Sequence, residues 1–218
     1  NVEIKNAQKL SEIKIRVSGI DESKLFLDGG RQSYAKDILT ITREKVDASS
    51  GINKKLPVYV SSFLKPSALI QSNDPQIRAQ LEKIINPDDS PKQKAEKIIN
   101  WVYRNMEKKP ALSVPNALEV LKNRSGDCNE HTILAVALLR AAGIPAQSEA
   151  GLVYLRGRFY YHAWCVLYLD QWITADAVFN QFPADVTHIR LIRGETAEQL
   201  GIMGVIGKIR LDVVEQKK

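Results

Sequence analysis

Long apolar runs are missing from this 218-residue chain. None reaches the roughly 20 residues that a bilayer-spanning helix needs, and no cationic leader followed by a short apolar stretch opens it. Membrane insertion by this stretch is not expected. The chain opens at Asn1 and not at Met, which reads as a trimmed piece whose upstream sequence could hold an export or anchoring signal. Cysteine is scarce: Cys128 and Cys165 alone cannot form a disulfide framework, so each thiol has to be read individually. Aromatics make up only 7%, and the net charge of +6 is spread along the chain and not gathered in a block. The one basic and aromatic cluster, Arg156 to Tyr161, reads as a hairpin turn and its strand and not as a nucleic-acid platform, so no nucleic-acid partner is expected. Repeats, low-complexity tracts and an EF-hand pattern are also absent. What is present, 44% apolar and 26% charged residues, suits a globular protein with a sizeable core.

Residues 1–72 read as a small β-rich segment. Ile13, Ile15 and Val17 alternate with Lys14 and Arg16 at the period of a half-buried strand. Leu25 to Leu27, Ile38 to Thr42 and Pro57 to Ser61 are further strand candidates, separated by the turn-prone Asp28-Gly29-Gly30 and Ser49 to Asn53. Residues 73–218 read as the core domain. Asp74 and Pro75 start a helix whose Ile77, Leu81, Ile84 and Ile85 share one face. Ser90 and Gln93 box the start of a second, with Ala95, Ile98, Ile99, Val102 and Met106 as its stripe. Asn116 caps a short helix over residues 117–122. From Ile133 through Ala142 only Arg140 is charged, which predicts a helix enclosed on all sides and stopped by Gly143 and Pro145. Strands are predicted for residues 151–155, 158–169 and 172–176, and Ile209, Leu211 and Val213 suggest a last one.

Cys128 falls in the first turn of that buried helix, with Asp127 as N-cap and Glu130 completing a capping box. Unpaired N–H groups and the helix dipole favour a thiolate there, and the Cys128 backbone N–H could hold an oxyanion. The bland alternative is a small buried hydrophobe. His162 lies in a strand 34 residues on and Asp176 ends the next strand. A hairpin turning near Leu169 would set these two opposite each other, so that carboxylate, imidazole and thiol align. The Cys128/His131 and His162/Cys165 pairs mimic a zinc-ligand spacing, but residues 162 and 165 differ by an odd number and point to opposite faces of a regular strand. The same parity makes Cys165 a packing residue and a Cys128–Cys165 disulfide switch improbable. His131 and His188 read as structural; His131, one helical turn from Cys128, stays a minor candidate for the site.

The stretches SGDCNEHTILAVALLRAAGIPAQ (125–147) and YYHAWCVLYLDQWITAD (160–176) closely resemble the core of the transglutaminase-like superfamily, whose members share a papain-like thiol mechanism. Gly-x-Cys at a helix start, Leu-Arg-x-x-Gly-Ile-Pro-Ala, His-Ala-Trp and Trp-x-x-x-Asp occur in order, and residues 177–194 resemble bacterial members of the superfamily. The resemblance implies an α+β fold with a central buried helix on an antiparallel sheet, after a small β-rich segment. It also implies the nucleophile at Cys128, the histidine at His162 and the aspartate at Asp176. Some relatives use an upstream tryptophan as a second oxyanion donor, for which Trp101 is the candidate here. A departure follows His-Ala-Trp, where many relatives have a polar residue and this chain has Cys165 and Val166. The implied activity is transfer or hydrolysis of a peptide or glutamine-type amide through a thioester, with a protein or peptide substrate and no cofactor. Its alternative is a silent envelope module that keeps the fold. A bacterial envelope or extracytoplasmic address is expected; acyl acceptor and oligomeric state are left open.

Overall fold

A computed structural model of the protein describes residues 3–47, 56–110, 116–195, 204–205 and 207–218. In chain order its main elements are β1 (Glu12–Ser18), β2 (Gln32–Ala35), β3 (Ile38–Thr42), α1 (Val58–Ser61), α2 (Pro75–Glu82), α3 (Pro91–Asn105), β4 (Glu107–Lys108), α4 (Ala117–Asn123), β5 (Ser125–Gly126), α5 (Cys128–Ala141), β6 (Ala146–Leu155), β7 (Arg158–Tyr168), β8 (Trp172–Ala175), β9 (Ile189–Arg193) and β10 (Arg210–Lys217). The fold is α+β, as expected, and its strand pairs are antiparallel apart from the two-residue β4–β5 bridge. Among the described residues no helix is long and apolar enough to cross a membrane.

Contacts divide the chain into two compact units that are interleaved in sequence. One holds Asn1–Lys45, Glu149–Ala163 and Ala184–Lys218; the other holds Val46–Ser148 and Trp164–Pro183. The physical reason is long-range pairing. In the first unit β10, from the far end of the chain, pairs antiparallel with β1 in a sheet of order β10-β1-β3-β2, with Glu12 opposite Lys217. The alternation read from Ile13, Ile15 and Val17 is borne out, since all three are buried in this sheet. Also in this unit, β6 and β9 pair antiparallel from Glu149↔Arg193 to Leu152↔Ile189. Two guanidinium groups tie the remote segments together. Arg31 donates to the carbonyls of Ala184, Asp185 and His188, and Arg190 donates to those of Phe26, Asp28 and Gly29.

Two strand expectations in the early chain are corrected. Residues 57–61 form α1, where the hydroxyls of Ser61 and Ser62 donate to the carbonyls three residues back and so favour a helical turn over the β-prone Val-Tyr-Val. Leu25 to Leu27 follow a 3-10 turn capped by Asp21 and are not in a strand; Phe26 N–H bonds the Leu191 carbonyl. Ser49 to Asn53 lie outside the described residues.

In the second unit the helix starts are those predicted. The Asp74 carboxylate accepts from Gln76 N–H, Ser90 and Gln93 close a capping box, and Asn116 accepts from Glu119 N–H. The apolar faces of α2, α3 and α4 surround α5, in which every residue from Glu130 to Arg140 is buried. On its β side, α5 shares one core with Cys165, Leu167, Leu169, Ala175 and Ala177 of the β7–β8 hairpin region. This helix-on-hairpin core is the reading that the apolar run 133–142 predicted. Each fully buried leucine of α5, such as Leu138, contributes about 1.5–3 kcal/mol by leaving water. Arg140, the one charge in the run, is neutralised in effect by donating to the carbonyls of Ala146 and Lys65, and Gly143 stops the helix at φ 78°.

Candidate active site

Cys128 is the first residue of α5 and is partly exposed, whereas the residues that follow it on the helix sink into the core. The predicted capping box forms around it. The Asp127 carboxylate accepts from Asn129 N–H at 3.0 Å and from Glu130 N–H, while Glu130 Oε2 accepts from Asp127 N–H at 2.9 Å. This return of the Glu130 side chain depends on the residue before the cap. A Cβ at Gly126 would overlap the Glu130 side chain. Burial pushes the Glu130 carboxyl from 4.5 up to about 7, and the hydrogen bond and charge of Asp127 push it the same way.

His131 is fully buried one turn below Cys128. Its Nδ1 lies 2.6 Å from the Asp127 carbonyl, which can only accept, so Nδ1 bears the proton and Nε2 is a bare lone pair. Among the described residues that Nε2 is buried without a hydrogen-bond partner. Burial holds the imidazole below its ordinary pKa, helped by Lys108 and opposed by Asp176 and Asp127. The sequence named His131 as structural; it did not show that the ring is neutral by construction.

Asp176 follows β8 and is fully buried. Its Oδ1 accepts from Val178 N–H at 2.6 Å and Phe179 N–H at 3.1 Å, and its backbone pairs both ways with Gln181. The register of the hairpin differs from the expected one. Cys165 pairs with Ala175 and Tyr168 with Trp172, so the residue set against Asp176 by continuation is Trp164, and His162 lies two residues further along β7. The turn is one residue later than a centre at Leu169 requires, because Leu169 N–H bonds Gln171 carbonyl and the bend falls on Asp170 and Gln171. The displacement is even, so strand parity is unchanged.

Cys165 is a buried free thiol whose Sγ donates to the Ala175 carbonyl at 3.4 Å. This bond and the surrounding apolar core make it a packing residue and remove it from any zinc-ligand set. Cys128 is likewise free. Trp101 packs on the helical core from α3, with the Arg124 guanidinium 4.6 Å above its ring.

His162 belongs to the other unit, in the part of β7 that precedes Trp164, and is 5% exposed. Within that unit its ring lies beside His188, with centroids 6.0 Å apart and planes tilted by 56°. His188 is fully buried, and its Nδ1 faces the Asp185 carbonyl at 3.3 Å and carboxylate at 3.4 Å. Burial pushes Asp185 up, but the hydrogen bond and charge of His188 and the N–H and hydroxyl of Thr187 outweigh it and hold the carboxyl well below the usual range. The sequence reading passed over this pair. The signal available was the run Asp185-Val186-Thr187-His188, where an acid, a hydroxyl and an imidazole fall within one turn.

No curated protein matches the chain. A candidate cysteine protease from Cytophaga hutchinsonii has a similar crystal structure at 15% identity, with a TM-score of 0.62 over 95% of this chain and 84% of that one. The periplasmic domain of TgpA from Pseudomonas aeruginosa is 20% identical, with a TM-score of 0.45 over 57% of this chain and 49% of that one. The first of these likenesses shows the fold. Residues 78–177, which hold α3, α4, α5 and the β7–β8 hairpin with Cys128, His162 and Asp176, match the transglutaminase-like superfamily.

Proposed function

We propose that the protein is a cysteine-dependent enzyme acting on a peptide or glutamine-type amide, with Cys128 as nucleophile, His162 as proton carrier and Asp176 as the carboxylate that orients the imidazole. The observation that carries this reading is the placement of Cys128: a partly exposed thiol at the head of an otherwise buried helix. In the first step the thiol proton passes to His162 and the sulfur attacks the amide carbonyl carbon. The capping box occupies the N–H groups of Asn129 and Glu130, so Cys128 N–H is the donor assigned to the developing oxyanion. The C–N bond then breaks, the leaving amine or ammonia departs with the proton from His162, and a thioester remains on Cys128. Water or a second amine attacks the thioester, His162 takes its proton, and an acid or a new amide is released. Asp176 suits the orienting role because two backbone N–H groups fix its Oδ1, which keeps the carboxylate from turning. Trp101 stays the candidate second oxyanion donor, with the Arg124 guanidinium over its ring face.

The test is mass spectrometry of the protein with a glutamine-containing peptide, with and without a primary amine. An acyl adduct is expected on Cys128, its loss in Cys128→Ser, and a fall of about 10²–10⁴ in turnover in His162→Ala. Release of acid marks a hydrolase and appearance of a new amide marks a transferase. Absence of any adduct, together with alkylation of Cys128 that His162→Ala leaves unchanged, would overturn the enzymatic reading in favour of a silent module.

A further inference from the structure

The hairpin of β6 and β7 ends in the basic and aromatic cluster Arg156 to Tyr161, which the proposed chemistry leaves unused. Its turn is two residues long, Arg156 and Gly157, both at positive φ (49° and 88°), which matches the twist of the strands it joins. Leu155 therefore stands opposite Arg158, and Tyr154 opposite Phe159, whose rings meet edge to face at 5.3 Å. Alternation along the strands gives the hairpin two unlike faces. One holds Tyr154 and Phe159 and is met by the start of the chain, where the buried Ile4 donates its N–H to Tyr154 Oη. The other holds Leu155, Arg158 and Tyr160 and runs on to His162. Exposure falls along it towards the proposed site: Arg158 is exposed, Tyr160 is 48% exposed and His162 5%. In the same unit Arg31, Arg190 and Arg193 are each paired with a carboxylate, whereas among the described residues Arg156 and Arg158 have no ion-pair partner.

We propose that Arg158 and Arg156, with Tyr160 between Arg158 and His162, form a recognition arm that selects a peptide substrate carrying a carboxylate side chain near the reacting amide. The proposal rests on the reading of His162 as proton carrier. Spacing sets where that carboxylate falls. A strand and an extended peptide both advance about 3.3 Å per residue, so a chain lying along β7 with its amide at His162 meets Tyr160 about two residues away and Arg158 about four. The phenol ring packs on the intervening side chain, and the planar guanidinium of Arg158 takes both oxygens of a glutamate. Arg156, in the adjoining turn, adds a second positive charge that steers acidic chains to the arm.

The test is peptide binding to Cys128→Ser, read by fluorescence anisotropy so that it does not depend on turnover. Dye-labelled peptides carry the reacting glutamine and, about four residues before or after it, Glu, Gln or Lys. In one of the two placements the Glu peptide is expected to bind about 3- to 10-fold tighter than its Gln counterpart at low salt. Adding Arg158→Glu is expected to remove that preference and shift it to the Lys peptide. Equal affinity for Glu and Gln in both placements, no binding of any peptide, or a Glu preference that survives Arg156→Glu together with Arg158→Glu would overturn the proposal. Tighter binding of a single-stranded oligonucleotide than of any peptide would also overturn it, making the hairpin a nucleic-acid platform. Failure of the underlying reading looks different: the preference for Glu would stand and depend on Arg158, while protein with Cys128 intact formed no acyl adduct with the preferred peptide.

Discussion

Replacing Glu130 with Gln isolates the proton at the head of α5. The native carboxyl titrates at about 7 against an ordinary 4.5, so the folded protein holds this proton more tightly than the unfolded chain does. Its stabilising effect is fully present below pH 4.5 and is lost as the pH rises through about 7. Fully expressed, the separation is worth about 3 kcal/mol. The strong interaction of Glu130 with its neighbour Asp127 brings the expectation to about 1–3 kcal/mol. Glu130→Gln keeps the acceptor for Asp127 N–H, since glutamine also serves in a capping box, and it removes the titration. The variant should therefore gain on the wild type as the pH rises, from near parity at pH 4 to an advantage of about 1–3 kcal/mol at pH 8. Urea denaturation followed by tryptophan fluorescence at intervals between pH 4 and 8 measures this difference. Titration of groups that do not interact with Glu130 is common to both proteins and cancels. A difference that stays constant across the range, or grows in favour of the wild type, would refute the raised carboxyl and the reasoning behind it.

Three further outcomes test the same helix head and the first unit. His131 is held below its ordinary pKa by burial, so acidification through 6.5 protonates the unfolded chain first and costs stability; His131→Asn should flatten this loss between pH 6.5 and 5, read from the same denaturation curves. Gly126→Ala forces a Cβ into the Glu130 side chain and should destabilise by about 1–3 kcal/mol, seen as a lower thermal midpoint, with less effect in a Glu130→Ala background. Arg190→Ala strips donors from the carbonyls of Phe26, Asp28 and Gly29 and a buried cation from beside Glu149, and should cost about 3–5 kcal/mol in urea denaturation.

Local chemistry made much of this protein legible in one dimension. Asp74-Pro75, Ser90-x-x-Gln93, Asn116 and Asp127-x-x-Glu130 start helices because their side chains meet N–H groups two or three residues away, and no distant contact is needed to close those bonds. The uninterrupted apolar run of α5 announced its enclosure in the same way, and the placement of Cys128 at its head followed from the cap alone. The strand reading of residues 57–61 failed because β propensity is a statement about packing on a sheet, and no sheet is paired there.

The rest was decided in three dimensions. Pairing of β1 with β10, and the clamps of Arg31 and Arg190 across more than 150 residues, depend on which segments meet. No local pattern encodes that, and so the units interleave. The register at Asp176 was set by a single turn residue that periodicity cannot fix, since a strand repeat of two leaves every even offset equivalent. Charge states were the least legible of all. The high carboxyl of Glu130, the bare Nε2 of His131 and the Asp185–His188 pair beside His162 arise from water being excluded around groups whose sequence neighbours are unremarkable. The sequence by itself determined where each candidate residue sits on its own element; the tertiary structure alone determined how far groups such as Glu130 and His131 depart from their ordinary titration, because desolvation is a property of the packed surroundings and not of the chain.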